Sequence, residues 1–536
     1  MMNIDRRNFV RLSGVFTAAA GIAVSVSACG GGKGTPPSAA GSGSAAGAEA
    51  NKDGTIKAGI SYELGTNGYD PMTTTSALTV AVNWHTLEGL TELDPASREC
   101  YAALGADLPK QVDDTTYEVT LRDGAKFHNG ADVTTDDVVH SFERVLDPAN
   151  NSLYASFIEF LDKVEKKDDK TVTIKLKYPF SLVAERLSVV KIVPKKDSTA
   201  DAAAFDMNPV GTGPYTMTDN GASSQTVKFE RFDDYTGPKP ALAKAMEWKI
   251  VPDNTTRTNA LSSGSVQAID AVGAADLGSF KDPYKVAAVQ GFGLIFAMFN
   301  CVSEAMKDVR NRQAILYALD YDAICKQGMA NLAAPATCFL HEDHPAYKKA
   351  KVVYSHDVEK AKALIAETGL KKTRLLCSDH GWFAAVRPII KQNIEAIGLQ
   401  VDFEEKKSSD VYGTIDGKPD AFDIVVAPGD PSVFGDDADL LLRWWYAADV
   451  WTDQRQHWKG SESYKKVQDL LEKASQTEGD EQKGHWHAIF DLVSEEVPLY
   501  PLLHRKSPTA YNGKTLTDFK PISLTGLSFV GVGSTE

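Results

Sequence analysis

Residues Ala421–Trp451 read AFDIVVAPGDPSVFGDDADLLLRWWYAADVW. Phe422, Ile424, Val425 and Val426 form a short apolar run with the length and composition of a buried strand. The run breaks at Pro428-Gly429-Asp430-Pro431, which cannot continue a strand and sets a tight turn. Leu440, Leu441, Trp444 and Trp445 follow at helical spacing. A strand that stops abruptly beside aromatic rings and a carboxylate is how an open α/β sheet builds a ligand crevice. The expected crevice residues are therefore Asp430 as polar anchor and Trp382, Phe383, Trp444 and Trp445 as walls. Tyr62 and Asn300 join them from positions just after a strand. For each of these aromatics, core packing is the alternative role.

The neighbouring sequence carries the same architecture. Arg374 to Cys377 reads as a strand, and Val386, Ile389, Ile390, Ile394 and Ile397 mark a helix ended by Gly398. Leu399, Val401 and Phe403 then alternate as a strand, completing a βαβ unit. Earlier in the chain, Thr55 to Ile60 is a first strand, and Ala77 to Leu90 is apolar at helical spacing. Tyr117, Val119 and Leu121 alternate, as do Val172, Ile174 and Leu176. Between them Thr134 caps a helix that Asp137 can reach back to. Asp253 leads into another helix, as do Asp308 and Asp357. The first half is a mixture richer in strand and the second half is α/β.

A chain of 536 residues exceeds a single core and implies two or more domains. Lys and Arg number 57 against 72 Asp and Glu, a net charge of −15 with no basic stripe, which argues against a nucleic-acid partner. The segment DRRNFVR, with Arg6 and Arg7, precedes an apolar stretch from Leu12 to Val26 that is short for a membrane span. It resembles a twin-arginine export signal, an ordinary secretory signal being the alternative. Val26-Ser27-Ala28-Cys29 resembles a lipobox, whose cysteine is lipidated. Acyl chains on Cys29 would hold the protein at the outer face of the bacterial cytoplasmic membrane, in the periplasm or cell envelope. Residues 1–29 are thus expected to be a lipoprotein signal peptide. Residues 30–54, rich in Gly, Ser, Ala and Pro, are expected to be a flexible tether. Cys100, Cys301, Cys325, Cys338 and Cys377 allow at most two internal bridges, and their pairing stays open.

Motifs for bond chemistry are sparse. There is no GxSxG, HExxH or P-loop, and Gly211-Thr212-Gly213-Pro214 lacks the third glycine of a dinucleotide fingerprint. Ser463-Tyr464-Lys465-Lys466 fits SxxK without its partner motifs. His341-Glu342-Asp343-His344 is the best metal-like cluster, with a solvated turn as the plainer reading. The expectation is a protein that is not an enzyme and needs no cofactor or metal.

Several segments together, in order, resemble the extracellular solute-binding proteins of peptide-type ABC transporters (family 5, which includes peptide and nickel binders). They include LEGLTELDP, FHNGADVTTDDVVHSFERVLDP, GTGPY, FNCVSEAMKDVRNRQAILYALD, QNIEAIGLQVDFEE, GDPSVF and EEVPLYPLLH. The resemblance implies an α/β, two-lobed, periplasmic-binding-protein type II-like fold with an extra subdomain in the first lobe. It places lobe I at residues 55–271 with the subdomain at about 100–209, lobe II at 272–499, and a C-terminal return to lobe I at 500–536. It also implies a monomer that captures an (oligo)peptide between the lobes and hands it to permease subunits and their ATPases. In peptide-binding relatives an Asp four positions before the Pro of the Asp/Glu-Pro pair accepts the peptide ammonium. Counting back from Pro431, that position is Ala427. An oligosaccharide or a nickel- or haem-type ligand is therefore the alternative.

Overall fold

The computed structural model describes residues 49–536 apart from residue 66. Arg6, Arg7, Cys29 and most of the expected tether lie outside the described residues. The last tether positions do not: Asn51 N–H donates to the Ser534 carbonyl (2.7 Å), and the Gly54 carbonyl accepts from Lys244 N–H (2.9 Å).

The described residues form an eleven-stranded mixed sheet. From one edge, its strands run Gln400–Lys406, Lys372–Ser378, Ile424–Gly429, Tyr284–Phe299 and Leu499–Asn512. It continues through Ala268–Ile269, Thr55–Ile60, Ala245–Ile250, Thr226–Arg231 and Tyr215–Asn220, while Ala333–Pro335 adds to Leu499–Asn512. The expected βαβ unit is present: Lys372–Ser378 pairs in parallel with both Gln400–Lys406 and Ile424–Gly429. Its crossover helix is Val386–Ala396, and Gly398 turns the chain at φ 93°.

Two strands hold the halves of the sheet together, and neither showed a clear signature in the sequence. Tyr284–Phe299 and Leu499–Asn512 run antiparallel for most of their length. Tyr284 to Gln290 pairs with Asn512 to Lys506, then the register slips, and Leu294 to Met298 pairs with His504 to Leu499. Each strand therefore serves both halves. Gly291 lies in the slip, where an added Cβ would stand 2.3 Å from the Ser523 carbonyl oxygen, so no larger residue fits without displacing the C-terminal segment.

Within residues 100–209 lies a separate antiparallel sheet of Lys110–Asp113, Thr116–Thr120, Thr171–Leu176 and Leu161–Lys166. Helix Thr135–Leu146 packs on it through Val138, Phe142 and Val145. The helix starts with the expected capping box: Asp137 N–H donates to Thr134 Oγ1 (3.3 Å) and Thr134 N–H to Asp137 Oδ2 (3.1 Å). The first helix ends sooner than its apolar spacing predicts, at Thr86. Glu88 leaves the helix to pair with Arg122 (2.8 Å) and to accept from the Tyr235 hydroxyl, and both charges of the pair are nearly buried. All five cysteines of the described residues are free.

That first helix carries a buried base. His85 is fully buried, with Nδ1 at 2.7 Å from the Ala81 carbonyl, while Nε2 accepts the Phe529 N–H at 2.9 Å. One nitrogen must donate and the other accept, which only the neutral ring does. Burial pushes its pKa down from 6.5 to about 4, with the Ala81 carbonyl opposing. The unfolded chain thus binds a proton that the native ring refuses, and stability falls as pH drops from about 6.5 to about 4. The loss from this residue reaches about 3 kcal/mol at the acid end. A His85→Asn variant is expected to show a shallower pH dependence of unfolding over that window. Equal slopes for the two proteins would refute the assignment.

Candidate functional site

The Ile424–Gly429 strand runs two residues past the break expected at Pro428: Pro428 and Gly429 still pair with Ile295 and Leu294, on a stretch that has lost its other neighbour, where a missing N–H costs nothing. Asp430 then starts a short 3-10 turn, Pro431–Val433. Asp430 Oδ1 accepts the Ser432 hydroxyl (2.5 Å), and Oδ2 accepts both Thr525 N–H and Thr525 Oγ1–H (2.8 Å each). Its carboxylate therefore ties the end of the strand to the C-terminal segment. Ser432 in turn gives its carbonyl to Arg98 Nη2 at 2.6 Å. Arg98 occupies the left-handed region (φ 62°), a conformation disfavoured for a side chain of this size and one that recurs at ligand sites.

Two cavities lie near this turn, one lined by Val433 and Phe434 and the other by Thr525, the partner of Asp430. The larger is walled by Trp84, Tyr154, Val433 and Phe434 and carries Arg98, Asn83, Glu92 and Lys191. Lys191 Nζ bridges both oxygens of Glu92 (2.5 and 2.6 Å). Burial pushes the Glu92 carboxyl upward against the opposing pull of Lys191. Asn83 Oδ1 is buried without a partner among the described residues. The smaller cavity is lined by Tyr62, Asp270, Arg505, Thr525 and Gly526 among others. Beside it, the Tyr62 ring meets that of His380 (5.7 Å), His380 meets Trp382 (5.9 Å), and the Arg505 guanidinium lies 4.7 Å over the Trp382 ring. Burial, then Arg505, pushes His380 down to about 4, so it is neutral near pH 7. Asp270 is held by Ser61, whose N–H and hydroxyl each donate at 2.7 Å.

These groups come from both halves of the sheet. Tyr62 and Asp270 flank the Thr55–Ile60 side, whereas His380, Trp382 and Asp430 follow strands of the other side. Glu63 and Lys407, which follow strands of the two sides, stand 3.8 Å apart.

Of the residues expected from the sequence, Tyr62 lines the smaller cavity, while Trp382 and Asp430 stand behind its lining, against Arg505 and Thr525 respectively. The structure places the other four elsewhere. Asn300 is fully buried, and its amide donates to the carbonyls of Pro419 (2.5 Å) and Phe422 (2.9 Å). Phe383 is fully buried under the Arg387 guanidinium. Trp445 packs against Phe296 and Trp451, so close to the strand that a Cβ on Gly429 would stand 2.6 Å from it. Trp444 lies behind Phe434, and it is Phe434 that faces the larger cavity. His341 pairs with Asp343 (3.3 Å) while His344 Nε2 meets the Asp436 carbonyl, so the metal-like segment does not converge on one point.

Sequence reasoning missed Arg505, His380, Thr525 and Arg98. Only Arg505 had a usable signal, a charge directly after the apolar run of PLYPLLHRKSP.

Among the described residues no helix is long and apolar enough to cross a membrane. The glutathione-binding protein GsiB of Escherichia coli O1:K1 / APEC is 27% identical over 481 residues, covering 86% of this chain and 91% of that protein. The binding protein AgaA from A. tumefaciens R10, solved with agropinic acid, superposes with a TM-score of 0.78 at 26% identity, covering 88% and 96% of the two chains. The periplasmic binding protein DppA of Helicobacter pylori, solved with the peptide STSA, gives 0.79 at 18% identity over 90% and 98%, a likeness of fold. Residues 101–467 match the bacterial extracellular solute-binding proteins, family 5 (middle). With that match across most of its length, the chain belongs to the family 5 extracellular solute-binding proteins.

Proposed function

We propose that this binding protein captures a short peptide, or a compact peptide-like acid, in the gap around the Asp430 turn and delivers it to the permease of an ABC importer. The observation that carries the reading is the turn itself. Its Val433 lines one cavity and its partner Thr525 lines a second, and it is held by the C-terminal segment through Thr525 and by the first half through Arg98. A ligand touching both halves stabilises only the closed arrangement, and the permease can read that shape. The glutathione- and peptide-binding relatives support a peptide class of ligand. Export through the Arg6-Arg7 signal, lipidation of Cys29 and a monomeric state complete the proposal.

One feature favours a second reading. Ala427 is buried and paired with Phe296, so the strand offers no carboxylate there for a ligand ammonium. A non-peptide acid, such as the opine held by AgaA, needs none. Isothermal titration of the mature chain against peptides, sugar acids, neutral oligosaccharides and nickel separates the classes. Asp430→Ala is expected to weaken the ligand found there at least about 10-fold, because the turn loses its hold on Thr525 and Ser432. Unchanged affinity in a folded variant would refute the role given to this turn.

A further inference from the structure

We propose that Arg505 is the specificity-determining residue of this gap, binding a carboxylate of the ligand. The inference rests on the gap being the ligand site and names the chemical group that the site selects.

Arg505 is only 5% exposed, yet no carboxylate among the described residues lies within ion-pairing distance of it. Its one side-chain hydrogen bond runs from Nη2 to Thr525 Oγ1 (2.5 Å), while Nε is buried without a partner. The other buried arginines differ. Arg186, Arg387 and Arg443 pair directly with carboxylates, while Arg257 is enclosed by the carbonyls of Val251, Pro252, Asp270 and Ala271 and Arg312 by those of Met306 and Glu496. A guanidinium has five N–H donors in a rigid fork suited to a carboxylate. A buried charge short of partners is costly unless something supplies them.

The nearby acids are already engaged. Asp270 is held by Ser61, and Asp430 accepts from Thr525 and Ser432, so Arg505 reaches Asp430 only through the Thr525 hydroxyl. The cavity lies on this arginine, and Trp382 backs it on one face with its own Nε1 unpartnered. The fork is thus held over the Trp382 ring at the edge of this cavity. It also sits on the strand that serves both halves, where the register slips. A carboxylate bound there would lie at the junction of the two halves.

The test uses the mature chain as wild type, Arg505→Met and Arg505→Lys, first by thermal shift and then by isothermal titration. The probes are dipeptide pools as free acids, the same dipeptides as C-terminal amides, glutathione, neutral oligosaccharides and nickel chloride. The expected result is that an acid probe binds wild type roughly 10- to 100-fold more tightly than its amide, the span of a charge-assisted hydrogen bond. Arg505→Met should lose that preference and Arg505→Lys keep part of it, with both variants showing native circular dichroism. Acids and amides binding wild type equally, or Arg505→Met retaining the preference, would overturn the assignment of Arg505 and leave the gap as the ligand site. Binding of the oligosaccharides or nickel alone would overturn the carboxylate inference. Binding of no probe would remove the peptide-site reading and this inference with it.

Discussion

Asp439→Ala is expected to lower the stability of the folded chain by about 3–5 kcal/mol, the cost of breaking a buried ion pair by removing one member. Asp439 is 1% exposed and accepts from Arg186 Nη2 at 2.9 Å and from Arg443 Nε at 2.8 Å. Arg186 belongs to the segment expected as the extra subdomain and also pairs with Asp437 (2.5 Å). Arg443 lies on the helix after the Asp430 turn and reaches back to Glu159 at 2.5 Å. The network therefore fastens residues 159–186 to the helix Ala438–Tyr446. Burial alone would push the Asp439 carboxyl upward, but Arg443 and Arg186 outweigh it and hold the group below its usual range. A depressed carboxyl contributes stability that is present above its unfolded pKa, about 3.9, and is lost as pH falls through its lower native value. Urea unfolding at pH 7 measures the effect. A variant within about 1 kcal/mol of wild type would show that the pair is no stronger than a surface salt bridge.

Trp444→Ala is the second large effect, also about 3–5 kcal/mol, from removal of a large buried ring. Trp444 stacks on Phe157 at 5.7 Å and lies 5.3 Å from Phe434 and 6.0 Å from Trp451. Phe157 comes from the same segment as Glu159, so this aromatic layer and the charged network secure one interface. Phe434 forms a wall of the larger cavity, and losing its support should blur that wall as well as destabilise the core. Trp444→Phe should recover most of the stability. If Trp444→Ala unfolds at the wild-type midpoint while binding ligand less well, the ring is a contact residue and its packing is incidental.

How much of this the sequence discloses depends on how each residue type reports its surroundings. The capping box at Thr134 and Asp137 and the βαβ unit are local events, set by side-chain oxygens and helical periodicity. They appear where the residues say. Tyr284–Phe299 did not stand out, because from Phe292 onward every position is buried and the alternation that marks a half-exposed strand is absent. The candidate site can be read where chain geometry places it: Asp430 stands at the turn that ends a strand, and Tyr62 lies two residues past the end of Thr55–Ile60. The tryptophans were ambiguous because a ring lining a cavity and a ring buried behind that lining look alike in one dimension. Thr525 and Arg98 gave nothing to read, since both matter through partners that are distant in sequence. Arg98 reaches Ser432, and Thr525 reaches Asp430.

The pair of strands shared by the halves also bears on how such a molecule can be rearranged. Tyr284–Phe299 enters beside Leu499–Asn512 on one side of the slip and leaves beside it on the other. A cut at any single peptide bond between them therefore strands part of one sheet on the wrong fragment. Exchanging one half with that of a relative requires at least two crossover points, one near residue 291 and one near residue 505. Recombination that respects only one of them would yield chimaeras with an unpaired sheet edge.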